Sequence, residues 1–257
     1  GALLANGEVF WLPTREENDY KPDVSSIPEA VLKRAKLLWI NYPNNPTGAT
    51  ADADFYKRMV DFCRQHNILL ASDNPYVEVT FDGYTAGSAL QIEGAVDCTI
   101  EFISFSKSHN MAGWRLGAAV GNVEAIKTLL TVKSNMDSGH FQPIYDAGII
   151  AFDEVPHAWI NERNAIYQRR RDRILETLPE IGLTAQKPKG SLYVWARVLE
   201  GDGAKYAEEA LMKAHVSVAP GAIYGPGGTN YVRFSIGIAD DRLEEALTRL
   251  KKWYSAR

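Results

Sequence analysis

The sequence predicts an α/β fold in which a mostly parallel sheet is covered by helices, followed by a smaller C-terminal α+β domain. Apolar runs of strand length are mostly continuous rather than alternating, as is typical of strands buried on both faces. An almost wholly helical stretch, residues 122–178, then separates these runs from a shorter region of strands and helices. We therefore predict a large domain over residues 1–165 and a small domain over residues 166–257.

The elements of the first domain follow from hydrophobic periodicity. The segment from Asp52 to His66 is predicted to be a helix because apolar side chains recur on one of its faces. Pro143 and Pro156 interrupt the later helical stretch as breaks or first-turn residues. Strands are predicted at EVFWLP (8–13), KLLWIN (36–41), ILLAS (68–72), YVEVTF (76–81), TIEFISF (99–105) and LGAAVG (116–121).

The second domain has a different texture. Strands are predicted at residues 192–198, 216–220 and 231–237, with a helix over residues 204–215. A last helix closes the chain, with Asp240 as its predicted cap. Its buried face is predicted to contain Leu243, Ala246, Leu247, Leu250 and Trp253.

Composition excludes several classes of function. The 257 residues are 46% hydrophobic and carry a formal net charge of -4, so neither nucleic acid nor an anionic membrane is an expected partner. The two cysteines, Cys63 and Cys98, are too few for a disulfide framework and lack the spacing of a zinc site, and no metal site is predicted. With no apolar stretch of membrane-spanning length and no secretory signal at its start, the sequence predicts a soluble cytoplasmic protein.

Polar residues follow the predicted strands at positions where open α/β sheets bind ligands. The stretch NYPNNPTG (41–48) has the composition of a tight turn. Asp73 follows the next strand, with Tyr76 three residues later. An acid at the end of a buried strand is costly unless a cation or donors meet it, so Asp73 either caps a turn or has a charge partner.

The stretch SFSKSHNMAGWRLG (104–117) raises a sharper question about Lys107. A lysine directly after a buried strand is poorly explained by solvation, whereas a partly desolvated lysine suits Schiff-base chemistry. The small residues around it would let a phosphate approach, and Arg115 supplies a planar guanidinium that suits a phosphate.

Arg233 lies in the middle of the alternating strand YVRFSIG, with Val232 and Phe234 on the other face. An arginine at that position either decorates a strand edge or binds a carboxylate.

The order of these motifs resembles the class I/II aminotransferases, which are pyridoxal-phosphate enzymes of fold type I. The motifs are NPTG (45–48), D-x-x-Y (73–76), S-x-S-K with an arginine eight residues after the lysine (104–115), and the arginine of YVRFS. The resemblance runs over essentially the whole chain. It implies that the first predicted domain binds pyridoxal 5'-phosphate and that the chain moves an amino group from an amino acid to a 2-oxo acid.

The resemblance also implies roles for the catalytic residues. Lys107 is similar to the lysine that holds the cofactor as a Schiff base and then moves the proton. Asp73 resembles the aspartate that keeps the pyridine nitrogen protonated, so that the ring withdraws electrons. Tyr76 and Asn45 resemble the donors to the phenolic oxygen of the ring.

The resemblance also implies which residues bind the phosphate and the substrate. Ser104, Ser106 and Arg115 resemble the phosphate-binding residues, and Arg233 resembles the clamp for the substrate α-carboxylate, with Asn45 close by. Tyr193 and Trp195 fit more loosely: they fall on a strand that faces the substrate in the family, and core packing is the simpler interpretation of Trp195.

Three expectations concern the whole protein. Members of the family begin with a further N-terminal segment that supplies part of the cofactor site, and the sequence shows no counterpart of it. The segment VKSNMDSGHFQ (132–142) resembles the diaminopimelate-type branch, which suggests a diaminopimelate-related substrate with glutamate and 2-oxoglutarate. The resemblance further implies a homodimer. A C–S or β-eliminating lyase on the same fold, or an inactive fragment lacking part of the cofactor site, remains an alternative.

Overall fold

The computed structural model describes residues 1–257 and contains two four-stranded sheets. In the first sheet the strand order is β1-β2-β3-β4, with β1 to β3 parallel and β4 antiparallel to β3. The second sheet is antiparallel, with the order β5-β6-β8-β7. The strands are β1 (Leu37–Asn41), β2 (Leu69–Asp73), β3 (Thr99–Ser104), β4 (Gly117–Gly121), β5 (Leu183–Thr184), β6 (Tyr193–Val198), β7 (Ala219–Pro220) and β8 (Tyr231–Ser235).

Helices pack against both sheets and connect them. The α-helices are α1 (Glu29–Leu32), α2 (Ala53–His66), α3 (Phe105–Ser108), α4 (Val123–Met136), α5 (Gln142–Asp153), α6 (His157–Thr177), α7 (Gly203–Ala214) and α8 (Asp240–Tyr254). Short 3₁₀ turns lie at Leu3–Ala5, Glu16–Asn18, Val24–Ser26, Ala89–Gln91, Ala95–Asp97, Ala112–Trp114, Leu178–Ile181, Gly221–Tyr224 and Pro226–Gly228. The predicted α/β fold class is therefore confirmed, and α6 crosses the predicted domain boundary, which stays a prediction.

The predicted amphipathic helix is α2, and it forms much of the first core. Asp52 caps it, since its Oδ1 accepts a hydrogen bond from the Phe55 backbone N–H at 2.7 Å. Asn67 ends it in the left-handed region, with φ +52°. The face that includes Phe55, Met59 and Cys63 packs on β1 and β2 in a cluster of 13 buried residues.

The second core joins the two parts of the chain. It contains 23 buried residues, mostly from β6, β8, α7, α8 and the end of α6. Val232 and Phe234 lie in it, as the alternation of β8 predicts. Tyr76, Val79 and Phe81 also belong to this cluster, although they follow a strand of the first sheet. Burial of these side chains holds the two sheets against each other.

Two predicted strands are wrong. Residues 8–13 form no strand because no other segment of the chain pairs with them, and the Trp11 side chain is 82% exposed. The segment 76–81 is a turn, closed by a hydrogen bond from the Val79 N–H to the Tyr76 carbonyl, and it shares only an isolated bridge between Thr80 and Gly190 with another segment. Its apolar residues are buried because they reach the second core, not because they lie in a sheet.

Smaller differences concern the C-terminal part. Of the predicted strand 216–220, only Ala219 and Pro220 pair in the sheet. Asp240 is the first residue of α8 rather than its cap, and its carboxylate forms an ion pair with Arg170. Pro143 lies in the first turn of α5 and Pro156 directly precedes α6, as predicted.

One side of the first sheet remains exposed in this chain. Helix α4 has no buried residue, and β4 is largely exposed. Large apolar side chains on α4, α5 and β1 face outward, among them Leu130, Met136, Ile149, Phe152 and Trp39. No helix combines the length and the apolar character needed to cross a membrane.

Candidate functional site

The carboxyl ends of β1, β2 and β3 lie at one edge of the first sheet because these strands are parallel. Asn41 and Asp73 are register partners at the ends of β1 and β2. Asn41 Nδ2 donates to the Asp73 backbone carbonyl at 2.8 Å, which joins the two strand ends. Ser104 ends β3, the next strand along. The topology thus collects the polar residues that follow these three strands.

The turn after β1 is built by two asparagines. Asn41 Oδ1 accepts from the Asn45 N–H at 2.8 Å, and Asn44 Oδ1 accepts from the Thr47 N–H and hydroxyl at 3.1 and 2.8 Å. Gly48 has φ +71°, and a Cβ there would lie 2.5 Å from Pro188 Cβ. The turn interpretation of this stretch therefore holds, while the Asn45 side chain is left to project from the turn.

Asn45 meets Arg233 across the two sheets. Arg233 Nη1 donates to Asn45 Oδ1 at 2.7 Å, although the residues are 188 positions apart in sequence. The guanidinium carbon lies 3.9 Å from the ring centroid of Tyr193 and 4.9 Å from that of Tyr224. Arg233 Nε is buried without a hydrogen-bond partner. Stacking thus orients a planar cation that still has donors for an anion.

Asp73 is a half-buried carboxylate with no cation paired to it among the ion pairs of the chain. Burial raises its pKa above the usual value, because removal from water disfavours the charged form. Of the two interpretations, a charge partner fits better than a turn cap, since no backbone N–H of the turn after β2 donates to the Asp73 carboxylate and burial alone shifts its pKa. A cation beside Asp73 would favour the charged form of the carboxylate and lower its pKa again.

Tyr76 is a buried phenol, 3% exposed, in the turn after β2. Its hydroxyl oxygen lies 3.4 Å from that of Tyr193, and the two rings meet edge to face at 5.9 Å. Burial, followed by the hydrogen bond with Tyr193, raises the pKa of Tyr76. The phenol therefore keeps its proton at neutral pH and can donate a hydrogen bond to a ligand.

Lys107 lies in α3, the single helical turn that follows β3. Its side chain is half-buried, as are those of Ser104 and Ser106, and it takes part in no ion pair. The structure therefore places the lysine where the sequence predicts it, directly after a buried strand and without an acidic partner.

Arg115 stands apart from this group. It is exposed, adopts φ +55°, and donates from Nη1 to the Ala112 carbonyl at 2.9 Å. No hydrogen bond joins it to Ser104 or Ser106. The predicted phosphate-binding set is thus not assembled by direct contacts, whereas Asn45, Arg233 and, through Tyr193, Tyr76 form one connected group.

Arg163 is a site-supporting residue that sequence reasoning missed. It lies on α6 and is 5% exposed, and its guanidinium donates to the backbone carbonyls of Ser108 and Glu78. Ser108 ends the turn that carries Lys107, and Glu78 follows Tyr76 by two residues. Arg163 therefore ties the lysine segment to the Asp73–Tyr76 segment. The only sequence signal was an arginine in a polar helix, which is ordinarily a solvated residue.

Tyr224 is the second residue that was missed. The segment APGAIYGPGG (219–228) stands out by its glycines, yet its contribution to the group is the aromatic ring that lies over Arg233. An isolated tyrosine between glycines carries no signal for such stacking.

The donor set defines the ligand that would fit. Asp73 calls for a cationic partner, Tyr76 offers a hydrogen-bond donor, and Lys107 offers an amine free of ion pairs. Arg233 offers a planar clamp for a carboxylate. No group of three or more His, Cys, Asp or Glu side chains is arranged to hold a metal ion.

The sequence is similar to known proteins over nearly its whole length. Residues 1–250 match the family model described as aminotransferase class I and II. The chain is 47% identical over 253 residues to an LL-diaminopimelate aminotransferase of Dehalococcoides mccartyi, and the match covers 98% of this chain and 65% of that protein.

The structure of the chain is also similar to solved structures. The chain superposes on the apo structure of BacF from Bacillus subtilis with a TM-score of 0.93 and 38% identity, covering 98% of this chain and 64% of that one. A probable N-succinyldiaminopimelate aminotransferase from Thermus thermophilus gives a TM-score of 0.90 and 34% identity, covering 98% and 67%. The chain therefore spans about two thirds of the length of the relatives that it matches.

Proposed function

Because the chain belongs to the class I and II aminotransferases, we propose that it transfers an amino group from an amino acid to a 2-oxo acid with pyridoxal 5'-phosphate as cofactor. Enzymes of this family depend on that cofactor. The observation that carries the proposal is the contact between Arg233 and Asn45, which places a stacked guanidinium at the carboxyl edge of the first sheet.

The residues of the site fit the cofactor. Asp73 is the unpaired carboxylate that a protonated pyridine nitrogen requires, and Tyr76 is a protonated phenol that can donate to the ring oxygen. Asn45 accepts from Arg233 through Oδ1, so its Nδ2 remains available as a second donor. When bound, the cofactor withdraws electrons from the substrate Cα and so allows its proton to leave.

We assign a separate role in the reaction to each of three side chains. Lys107 would hold the cofactor through its amine and, when that amine is free, would accept the proton that leaves the substrate Cα. The negative charge of Asp73 keeps a proton on the pyridine nitrogen. Arg233 binds the substrate α-carboxylate through two parallel N–H donors, which orients the Cα–H bond for cleavage.

The phosphate is the remaining part of the cofactor. We assign its binding to Ser104, Ser106 and Arg115, as the family resemblance implies. Arg115 uses one of its five N–H groups on the Ala112 carbonyl and retains others for an anion.

For the substrate we propose a diaminopimelate-related amino acid, with glutamate and 2-oxoglutarate as the second pair. The support is the likeness to the LL-diaminopimelate aminotransferase of Dehalococcoides mccartyi at 47% identity. A homodimer is also a proposal, supported by the family resemblance alone, and the cytoplasmic location stays a prediction.

Borohydride trapping tests the central assignment. The purified protein is incubated with pyridoxal phosphate, reduced and digested, and the modified peptide is sequenced. We expect one modified residue, Lys107, and no modification of that peptide in Lys107→Ala, whereas Lys127→Ala on exposed α4 serves as the matched control. A modified residue other than Lys107 contradicts the assignment, and the absence of any adduct identifies a chain that does not take up the cofactor.

The reaction class needs a separate measurement. We expect LL-diaminopimelate and 2-oxoglutarate to yield glutamate. Release of pyruvate and ammonia from sulfur-containing or β-substituted amino acids, without amino transfer, would identify a lyase instead.

A further inference from the structure

Tyr193 touches both halves of the candidate site. The Arg233 guanidinium carbon lies over its ring, 3.9 Å from the ring centroid. Its hydroxyl oxygen lies 3.4 Å from that of Tyr76. Tyr193 is the first residue of β6, and β6 pairs directly with β8, so the strand pairing fixes the place of the ring beside Arg233.

We propose that Tyr193 is a positioning residue that links the carboxylate clamp, Arg233, to the hydrogen-bond donor of the cofactor, Tyr76. This inference rests on the proposed function, because it assigns a task to each neighbour. Two different parts of one side chain carry the link: the ring acts on Arg233 and the hydroxyl acts on Tyr76. The hydroxyl contact can therefore be removed while the ring contact is kept.

The ring contact orients the clamp. A guanidinium in the middle of a strand has several rotamers, and a fork that binds a carboxylate bidentately must be held in one plane. Tyr193 and Tyr224 lie over the Arg233 guanidinium at 3.9 and 4.9 Å, and Asn45 fixes its Nη1 at 2.7 Å. Tyr193 is the nearer of the two rings and so contributes the larger share of the cation–π attraction.

The hydroxyl contact prepares the donor. Tyr76 is buried, and a buried hydroxyl without a partner is costly. Tyr193 supplies that partner while no ligand is bound. An oxygen separation of 3.4 Å is longer than the optimum for two hydroxyls, so the Tyr76 proton can turn from Tyr193 to a ligand oxygen at little cost.

The charge on Arg233 also acts on Tyr76. The guanidinium lowers the pKa of Tyr76, against the larger effects of burial and of the Tyr193 hydrogen bond, which raise it. A carboxylate bound at Arg233 neutralises that field. Tyr193 therefore stands where substrate binding and cofactor hydrogen bonding meet.

Two variants separate the contacts. Tyr193→Phe keeps the ring and removes the hydroxyl, whereas Tyr193→Leu removes both. Tyr206→Phe is the matched control, because Tyr206 is a buried tyrosine of the same core whose hydroxyl donates to the Ile181 carbonyl and takes part in no contact with Arg233.

The first readout is carboxylate affinity, measured by calorimetry with 2-oxoglutarate on cofactor-free protein. We expect Tyr193→Phe to bind within about twofold of wild type and Tyr193→Leu to bind roughly fivefold more weakly or worse. Unchanged affinity in Tyr193→Leu would overturn the ring contact as an orienting interaction.

The second readout is the pH midpoint of the absorbance of the bound cofactor. We expect Tyr193→Phe to move this midpoint by roughly half a pH unit or more, because it removes the hydroxyl that competes with the cofactor oxygen for the Tyr76 proton, while Tyr206→Phe leaves the midpoint in place. An unmoved midpoint in Tyr193→Phe, or equal losses of both readouts in both variants, overturns the link. Wild-type protein without any cofactor absorbance overturns the proposed function instead, and the calorimetric readout still decides the contact with Arg233.

Discussion

The burial of Asp73 lowers the stability of the folded protein, and the same carboxylate is proposed to pair with the pyridine nitrogen of the cofactor. Its carboxylate is half-buried without a cation, and burial raises its pKa above the ordinary value of 3.8. A protein that holds no cofactor therefore keeps an uncompensated charge at neutral pH. Since Asn has the same shape without the charge, Asp73→Asn isolates this effect.

We expect cofactor-free Asp73→Asn to unfold at a higher temperature than wild type near neutral pH. Between pH 3.8 and the raised pKa the folded state binds more protons than the unfolded state, so wild-type stability falls as the pH rises through that window. The difference should thus shrink below about pH 3.8, where both side chains are neutral. Calorimetric scans at both pH values check this.

With cofactor bound, we expect proton abstraction in Asp73→Asn to fall by orders of magnitude, and near-normal turnover of this variant would contradict the role of Asp73.

Arg233 gives the second prediction at the residue scale. Its replacement by Ala removes the clamp but none of the groups assigned to the cofactor. We expect KM for amino acids to rise roughly 10- to 150-fold, the equivalent of about 1.5–3 kcal/mol for a charge-assisted hydrogen bond, with cofactor affinity changed far less. Arg233→Lys should recover only part of the loss because an ammonium cannot form the planar fork. Steady-state kinetics and a cofactor titration check this, and equal losses in both would indicate a structural arginine.

Prediction from sequence succeeds and fails at this scale for a physical reason. Lys107, Asp73 and Arg233 are identifiable because a charge on or directly after a buried strand is costly and so requires an explanation. Tyr193 contacts Arg233 and Tyr76, and Arg163 contacts Ser108 and Glu78, at sequence separations of 40 to 117 positions. Their own sequence surroundings are ordinary, since only tertiary packing brings the partners together.

At the scale of elements, continuous apolar runs identify β1, β2 and β3, as is typical of strands in a covered sheet, although Leu37 and Trp39 leave one face of β1 exposed in this chain. The same rule misassigns residues 76–81. That segment is buried by another unit of the fold rather than by sheet neighbours, and apolar content alone does not distinguish the two cases.

Helix α6 supports the candidate site through Arg163, in addition to connecting the two sheets. Arg163 donates from α6 to the carbonyls of Ser108 and Glu78, which belong to the Lys107 and Asp73–Tyr76 segments. Arg163→Met leaves both carbonyls without this partner, so we expect a loss of about 1–3 kcal/mol in unfolding free energy and roughly tenfold weaker cofactor binding.

The control lies on the same helix. Arg173 pairs with Glu244 at the surface, so Arg173→Met should cost less than about 1 kcal/mol and leave cofactor binding unchanged. Denaturant unfolding and a cofactor titration measure the two effects. Weakened stability with unchanged cofactor affinity in Arg163→Met would limit this arginine to a structural role.

At the scale of the whole molecule, the candidate site depends on two sheets staying in one relative position. Asn45 belongs to the first part of the chain and Arg233 to the second, yet they are in contact at 2.7 Å. Val79 and Phe81 enter the second core from the first part, and Thr80 bridges Gly190. The contacts of Val79, Thr80 and Phe81 lie on one short segment that continues to Asp82, and the coupling of the two sheets can be tested there.

Arg171 secures this segment. It is 0% exposed, donates to both carboxylate oxygens of Asp82 at 2.6 and 3.1 Å, and donates to the Pro188 carbonyl at 2.8 Å. Its guanidinium also lies 5.0 Å from the ring centroid of Phe81. The Asp82 side chain is 31% exposed and keeps its contact with Lys187, so the loss of Arg171 should cost about 1–3 kcal/mol, as for a hydrogen-bonded charged group that loses one partner. We expect Arg171→Met to lose stability in that range in denaturant unfolding near neutral pH.

The pH dependence identifies the ion pair as the cause. Arg171 holds the pKa of Asp82 below its ordinary value of 3.8, so this stabilisation is present above that value and is lost as the pH falls through the lowered pKa. The gap between wild type and Arg171→Met should therefore narrow in acid. Lys187→Met is the matched control, because Lys187 contacts the same carboxylate at 3.3 Å from a side chain that is 53% exposed, and its loss should cost less than about 1 kcal/mol. If Arg171→Met unfolds with wild-type stability and the Arg233 clamp still binds 2-oxoglutarate normally, the position of the two sheets depends on their apolar core and not on Arg171.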